Sequence, residues 1–158
     1  MLQSKQVAAK MPLPEPISGV HPVVCVGEYV VGSSLPVNSI IEMTGIPPGT
    51  FPVDVKVVGD DCDSNGTPTI AFSAGILSGL FGKSDDTRTI GTEFAAAGTT
   101  TLQAGGVFTS AVKAGLILAP TTGARGVGIK ITAAAATLVA GSKIRMYVTC
   151  HPDPGSLT

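Results

Sequence analysis

Between Phe51 and Gly79 the chain alternates apolar and polar positions with a period of two, the repeat of an extended strand whose side chains point to opposite faces. Val53, Val55 and Val57 fall on one face, and Asp54 and Lys56 on the other. A turn-forming run, Gly59-Asp60-Asp61-Cys62-Asp63-Ser64-Asn65-Gly66-Thr67-Pro68, follows. Beyond it Ile70, Phe72 and Ala74 alternate with Thr69, Ala71 and Ser73. This pattern predicts a β-hairpin, two strands with one buried face each around a polar turn.

The same grammar recurs along the chain. Val23 to Val31 predicts a strand, broken at Gly32-Ser33-Ser34. Ser39 to Thr44 predicts another, with Ile41 and Met43 on one face and Ile40 and Glu42 on the other. Pro47-Pro48-Gly49 forces a turn. Residues 79 to 92 read as a loop with a short strand at its end, and Glu93 to Gly98 as one helical turn. Val107 to Val112, Leu116 to Ala119 and Val127 to Thr132 read as strands, and Ala133 to Ala136 as ambiguous. Lys143 to Cys150 closes the series, with Ile144, Met146 and Val148 alternating against Lys143, Arg145, Tyr147 and Thr149. Short strands separated by Gly/Pro turns predict an all-β fold, a jelly-roll-like β-sandwich or barrel.

The first 22 residues differ. Residues 2 to 10 suit a short helix, after which Pro12, Pro14, Pro16 and Pro22 each oppose regular structure. The expected organisation is an extended N-terminal arm over 1–22, a β-sandwich domain over 23–151 and a tail over 152–158. Fully extended, such an arm reaches roughly 70 Å.

Composition narrows the function. Charged residues make up 13% of the 158, about half of the roughly 25% usual in globular domains. With 10 Lys and Arg, no Trp and a net charge of −1, the chain lacks the basic, aromatic stripe of a nucleic-acid surface. It has no apolar run long enough to span a bilayer, and its N-terminus lacks the apolar segment of a secretion signal. The three cysteines, Cys25, Cys62 and Cys150, have no framework spacing. So sparse a charge fits either a neutral β-domain or a surface largely covered by partners.

No motif makes a catalyst. Asp61, Asp63, Asn65 and Gly66 match the first half of a calcium loop, but Phe72 stands where the bidentate Glu belongs; the reading is an acidic turn. Gly82-Lys83-Ser84 lacks the upstream Gly of a phosphate loop, and Gly123, Gly126 and Gly128 lack dinucleotide spacing. The only histidines, His21 and His151, lie at the domain edges. If the first and last strands pair, His21, Cys25, Cys150 and His151 approach one another, as a zinc site or, more simply, as two buried thiols beside two histidines. No cofactor is expected.

The segments Asp61 to Thr69 and Gly75 to Gly79 resemble small structural proteins of tailed bacteriophages. So do Arg88 to Phe94, Gln103 to Gly106, Leu118 to Thr121 and Arg125 to Lys130 with the alanine run after it. The resemblance spans residues 35 to 150 and implies a capsid decoration (cement) protein with a jelly-roll-like domain. Its implied partners are the major capsid protein and other copies of itself, with no nucleic acid and no membrane. Its implied place is the virion surface, after synthesis in the host cytoplasm. The arm would grip a neighbouring subunit through Met11, Leu13 and Ile17. The alternatives are a neck, tail or fibre-base protein, and a carbohydrate-binding jelly roll, which the absence of Trp disfavours.

Overall fold

The computed structural model describes residues 1–15 and 21–153. The strands are β1 (Leu2–Gln3), β2 (Val23–Val30), β3 (Ile40–Ile46), β4 (Thr50–Gly59), β5 (Ala71–Ile76), β6 (Ala95–Thr99), β7 (Gly106–Thr109), β8 (Arg125–Ala133) and β9 (Lys143–Pro152). Two single helical turns, α1 (Lys5–Ala8) and α2 (Lys113–Leu116), complete the set with a 3₁₀ turn at Thr101–Gln103.

One sheet runs in the order β1-β3-β8-β5-β6 and the other β2-β9-β4-β7. From β2 onward every consecutive pair of strands except β5 and β6 changes sheet. That is the wrapping of an eight-stranded jelly roll, in which two layers close over one core. All pairings among β2 to β9 are antiparallel, whereas β1 is added parallel to β3.

The core forms because the two inner faces are both aliphatic. Ile41, Met43, Phe72, Ile129 and Ile131 from one sheet meet Val55, Val57, Ile144, Met146 and Val148 from the other, all of them buried. Phe72 meets Phe108 edge to face, with ring centroids 6.1 Å apart. At Gly27 the two layers approach so closely that a Cβ would overlap the carbonyl oxygen of Met43. Only glycine lets β2 pass there.

The alternation of β9 is as expected: Ile144, Met146, Val148 and Cys150 are buried. The strand continues through His151 and Pro152, two residues read as edge and tail.

The expected hairpin does not form, since β4 and β5 belong to different sheets. The run between them is an arch from one layer to the other, which the period-two pattern cannot distinguish from a turn within one layer. Val53 is 43% exposed, although Val55 and Val57 are buried. A bulge between Pro52 and Asp54 shifts the register and turns Val53 outward.

The Glu93–Gly98 segment is not helical; Ala95–Thr99 forms β6 against β5. Pairing with a buried strand overrides the helical preference of three alanines. Conversely the start of the expected strand Leu116–Ala119 lies in α2.

Residues 2 to 8 form β1 and α1 and pack on the body, burying Val7. The four prolines after them limit this structure to a few residues.

Truncating the largest inner-face side chain tests this core. Phe72→Ala should cost about 3–5 kcal/mol in urea unfolding, with little change in slope. An exposed-residue cost, near zero, would contradict the packing described.

Candidate functional site: an apolar end of the sandwich

The site is built from the N-terminal segment and two loops. Ser4 caps α1 by accepting a hydrogen bond from the Val7 backbone N–H, and its hydroxyl donates to the Met43 carbonyl at 2.6 Å. Its own N–H donates to the Glu42 carbonyl at 2.9 Å. The Gln6 side chain accepts from the Glu28 N–H at 2.8 Å, and Lys5 pairs with the Glu28 carboxylate at 2.8 Å. Lys5 and then Arg145, by hydrogen bonding, hold the Glu28 carboxyl down at about 2.

These contacts deliver Met11 and Leu13 to one end of the sandwich. Met11 is 57% exposed. Leu13 is half-buried and packs against the core of its own chain, its side chain over Gly45 beside Phe81. Ile17, the third expected anchor, lies outside the described residues. Val7, Met11, Leu13, Pro47 and Phe81 line a groove of ≈ 420 Å³. Next to it Leu80 is 68% exposed. Gly79 and Gly82, with φ of +75° and +74°, flank the Leu80-Phe81 pair in the left-handed region that suits glycine.

A buried ion pair holds this loop. Arg88 Nη2 lies 3.0 Å from Glu42 Oε1, and both side chains are almost fully enclosed. Arg88 also donates to the carbonyls of Ser78 (2.6 Å) and Lys83 (2.9 Å). Glu42 Oε1 accepts from the Gly82 N–H at 3.2 Å. One guanidinium thus ties both ends of the loop to β3. The sequence pattern missed this role, although a glutamate between Ile41 and Met43 was its visible signal.

The acidic turn serves the fold instead of a cation. Asp63 is 1% exposed. Its Oδ2 accepts from the N–H groups of Thr69 (2.7 Å), Ala136 (2.9 Å) and Ile70 (3.2 Å). Its Oδ1 accepts from Thr137 at 2.8 Å and Asn65 at 3.4 Å. Burial alone would raise its pKa, but the hydrogen bonds from Thr137, Thr69, Ala136 and Ile70 outweigh it and hold the carboxyl well below the ordinary range. An oxygen set committed to five N–H donors is not a cation ligand.

The histidines and cysteines do not converge on a metal. β2 and β9 do pair, and the Cys25 and Cys150 thiols hydrogen-bond. His21 is exposed, however, while the His151 ring faces its own Pro152 carbonyl and packs near Phe51. Among the described residues no cluster of three or more His, Cys, Asp or Glu is placed to hold a metal. The hydrogen bond with Cys150 and then burial push the Cys25 thiol far up, and burial pushes Cys62 to about 11. All three cysteines are free and buried.

No protein-family model matches the chain, and no curated protein matches it by sequence. Solved structures do. A chain in the capsid of Ralstonia phage GP4 is 31% identical over 96% of this chain and 97% of its own length, with a TM-score of 0.89. A chain in the cyanophage Pam1 capsid asymmetric unit is 24% identical over 91% of this chain and 96% of its own, at 0.63. One in the acidic stable capsid structure of Helicobacter pylori bacteriophage KHP30 is 14% identical over 84% and 89%, at 0.51. The latter two are likenesses of fold.

Two outcomes check the site's supports. Arg88→Ala leaves the Glu42 charge enclosed and should cost about 3–5 kcal/mol, read by urea unfolding. For Asp63 the sign follows from its lowered folded-state pKa. The stabilisation is complete above the unfolded value near 4 and is lost as pH falls toward the lower folded value. Asp63→Asn should therefore melt well below the unsubstituted chain at pH 7, and the gap should narrow as the pH is taken to 3. A gap that stays constant with pH would remove the carboxylate from this role.

Proposed function

The chain belongs to the phage capsid protein family of its counterpart in the Ralstonia phage GP4 capsid, and on that premise we propose that it is a decoration, or cement, protein. It binds the outside of the shell of major capsid protein, together with other copies of itself, and braces subunit boundaries. Binding, not bond-breaking, is its work.

The observation that carries the reading is the apolar end of a body already closed on itself. The two sheets bury a complete core within one chain. Yet Met11 and Leu80 stand exposed beside the ≈ 420 Å³ groove. A protein added to an assembled shell needs that combination: a fold independent of its neighbours, and a surface that gains from being covered. Burying one such side chain contributes about 1.5–3 kcal/mol before the costs of association. Many copies then make a weak contact count.

The N-terminal residues fit as part of this contact. Met11 faces outward, and Leu13 shapes the groove wall. Ile17 follows in the sequence as the third apolar anchor. The low charge lowers the desolvation cost of covering the surface.

Met11→Ser is the direct test. It should leave urea unfolding of the body within about 0.5 kcal/mol and reduce the number of copies per particle, read from band intensity against the major capsid protein. Unchanged occupancy would remove Met11 from the contact. A cryo-electron reconstruction of intact particles tests the larger reading. Repeated density outside the shell supports decoration. Density forming the continuous shell would make this chain the shell subunit itself, and density at one vertex would place it in the neck or tail.

A further inference from the structure

The tip of the arch that carries Asp63 is Asn65-Gly66, and both residues are exposed. In such a pair the backbone nitrogen of the second residue can close a five-membered ring on the side-chain carbonyl carbon of the first. Glycine favours the closure because it puts no Cβ beside the ring. The other asparagine of the chain, Asn38, precedes Ser39 and lacks this freedom.

Three features of the arch favour ring closure at Asn65. Its Oδ1 accepts from the Thr67 N–H at 2.9 Å. This turn folds the carboxamide back over the Asn65–Gly66 peptide bond and aims a donor at the oxygen that becomes negative during attack. Its Nδ2 donates to the Thr137 hydroxyl oxygen at 3.2 Å. That hydroxyl is placed to return a proton when the nitrogen becomes a leaving amine. The Gly66 N–H has no acceptor among the described residues, so no hydrogen bond holds the attacking nitrogen back.

We propose that Asn65 is a site of spontaneous deamidation assisted by the folded arch, which turns a carboxamide at the joint between the layers into a carboxylate. The Gly66 nitrogen gives its proton to water and bonds to the Asn65 side-chain carbonyl carbon. The bond from that carbon to Nδ2 breaks, and Nδ2 leaves as ammonia with a proton from Thr137, which regains one from solvent. Water then opens the succinimide at either carbonyl and leaves aspartate or isoaspartate. No oxidant or cofactor takes part. The new charge lies beside the buried Asp63 carboxylate, whose Oδ1 accepts from the Asn65 N–H at 3.4 Å. Repulsion between the two, and loss of the amide donor to Thr137, loosen the crossing. The chemistry is independent of any capsid role.

The test is peptide mass mapping of the full-length chain after warm incubation at pH 7 and pH 9. Position 65 should convert and Asn38 persist, faster at the higher pH because the Gly66 nitrogen must lose its proton. The folded chain should convert severalfold faster than the same chain unfolded in guanidinium. Thr137→Val should bring the folded rate down to the unfolded one, and Thr137→Ser, which keeps the hydroxyl, should restore it. Gly66→Ala, at a position where an added Cβ meets open space, should keep the fold and suppress conversion. Asn65→Asp should melt below the unsubstituted chain in low salt and approach it in high salt. A folded chain that converts more slowly than the unfolded one, or a Thr137→Val rate equal to the unsubstituted rate, would overturn the assistance. Equal melting of Asn65→Asp in low salt would overturn the loosening.

Discussion

The carboxylate of Asp63 is the point on which the two layers are joined. β4 leaves one sheet at Gly59, and the chain enters the other at Ala71. The arch between them has N–H groups that no strand ladder satisfies. Asp63 accepts three of these, from Asn65, Thr69 and Ile70, and two more from Ala136 and Thr137 in the turn after β8. Buried donors without partners are costly. One buried, charged acceptor meets five N–H groups and fastens two chain crossings to each other. The Ser64 N–H donates to Thr137 and the Val139 N–H to Cys62 around the same point.

At the apolar end the logic is repeated with an ion pair. Leu80 and Phe81 sit in a glycine-flanked loop, where exposed apolar side chains would ordinarily have no fixed position. Arg88 fixes them by binding the Ser78 and Lys83 carbonyls and the Glu42 carboxylate at once. The enclosed charges are offset by each other and by hydrogen bonds at Glu42 Oε1 and Arg88 Nε and Nη1, while Glu42 Oε2 has no hydrogen-bond partner among the described residues. A rigid presentation of apolar groups lowers the ordering cost of binding. The N-terminal segment adds Met11 and Leu13 to the same end. The exposed apolar end and the fold are thus linked through β3, which carries Glu42 toward the loop and Ile41 and Met43 toward the core.

Much of the fold was legible in the sequence. β2, β3, β8 and β9 lie where alternation and glycine or proline breaks put them. Their aliphatic faces are the core, because burial of one face imposes a period of two whatever the partner strand is. The site was less legible. Met11 was visible as an apolar residue among prolines. Leu80 falls in a stretch that the pattern assigns to loop, and Glu42 and Arg88 are 46 positions apart in the sequence. Asp63 was visible as a possible ligand, and the residues that disprove it include Ala136 and Thr137, which no local spacing connects to it.

The sequence alone determined the class: an all-β chain, short strands, sparse charge, three cysteines outside any disulfide framework, and an apolar, proline-broken beginning. These follow from local preferences and from which residues prefer to leave water. Only the tertiary structure decided which strands share a sheet, that the stretch around Asp63 is an arch between layers, that alanines 95–97 extend a sheet edge, and that residues 2 to 8 return to the body. Each depends on a partner distant in the chain, and a partner's hydrogen bonds and packing outweigh the weak conformational preference of the segment itself.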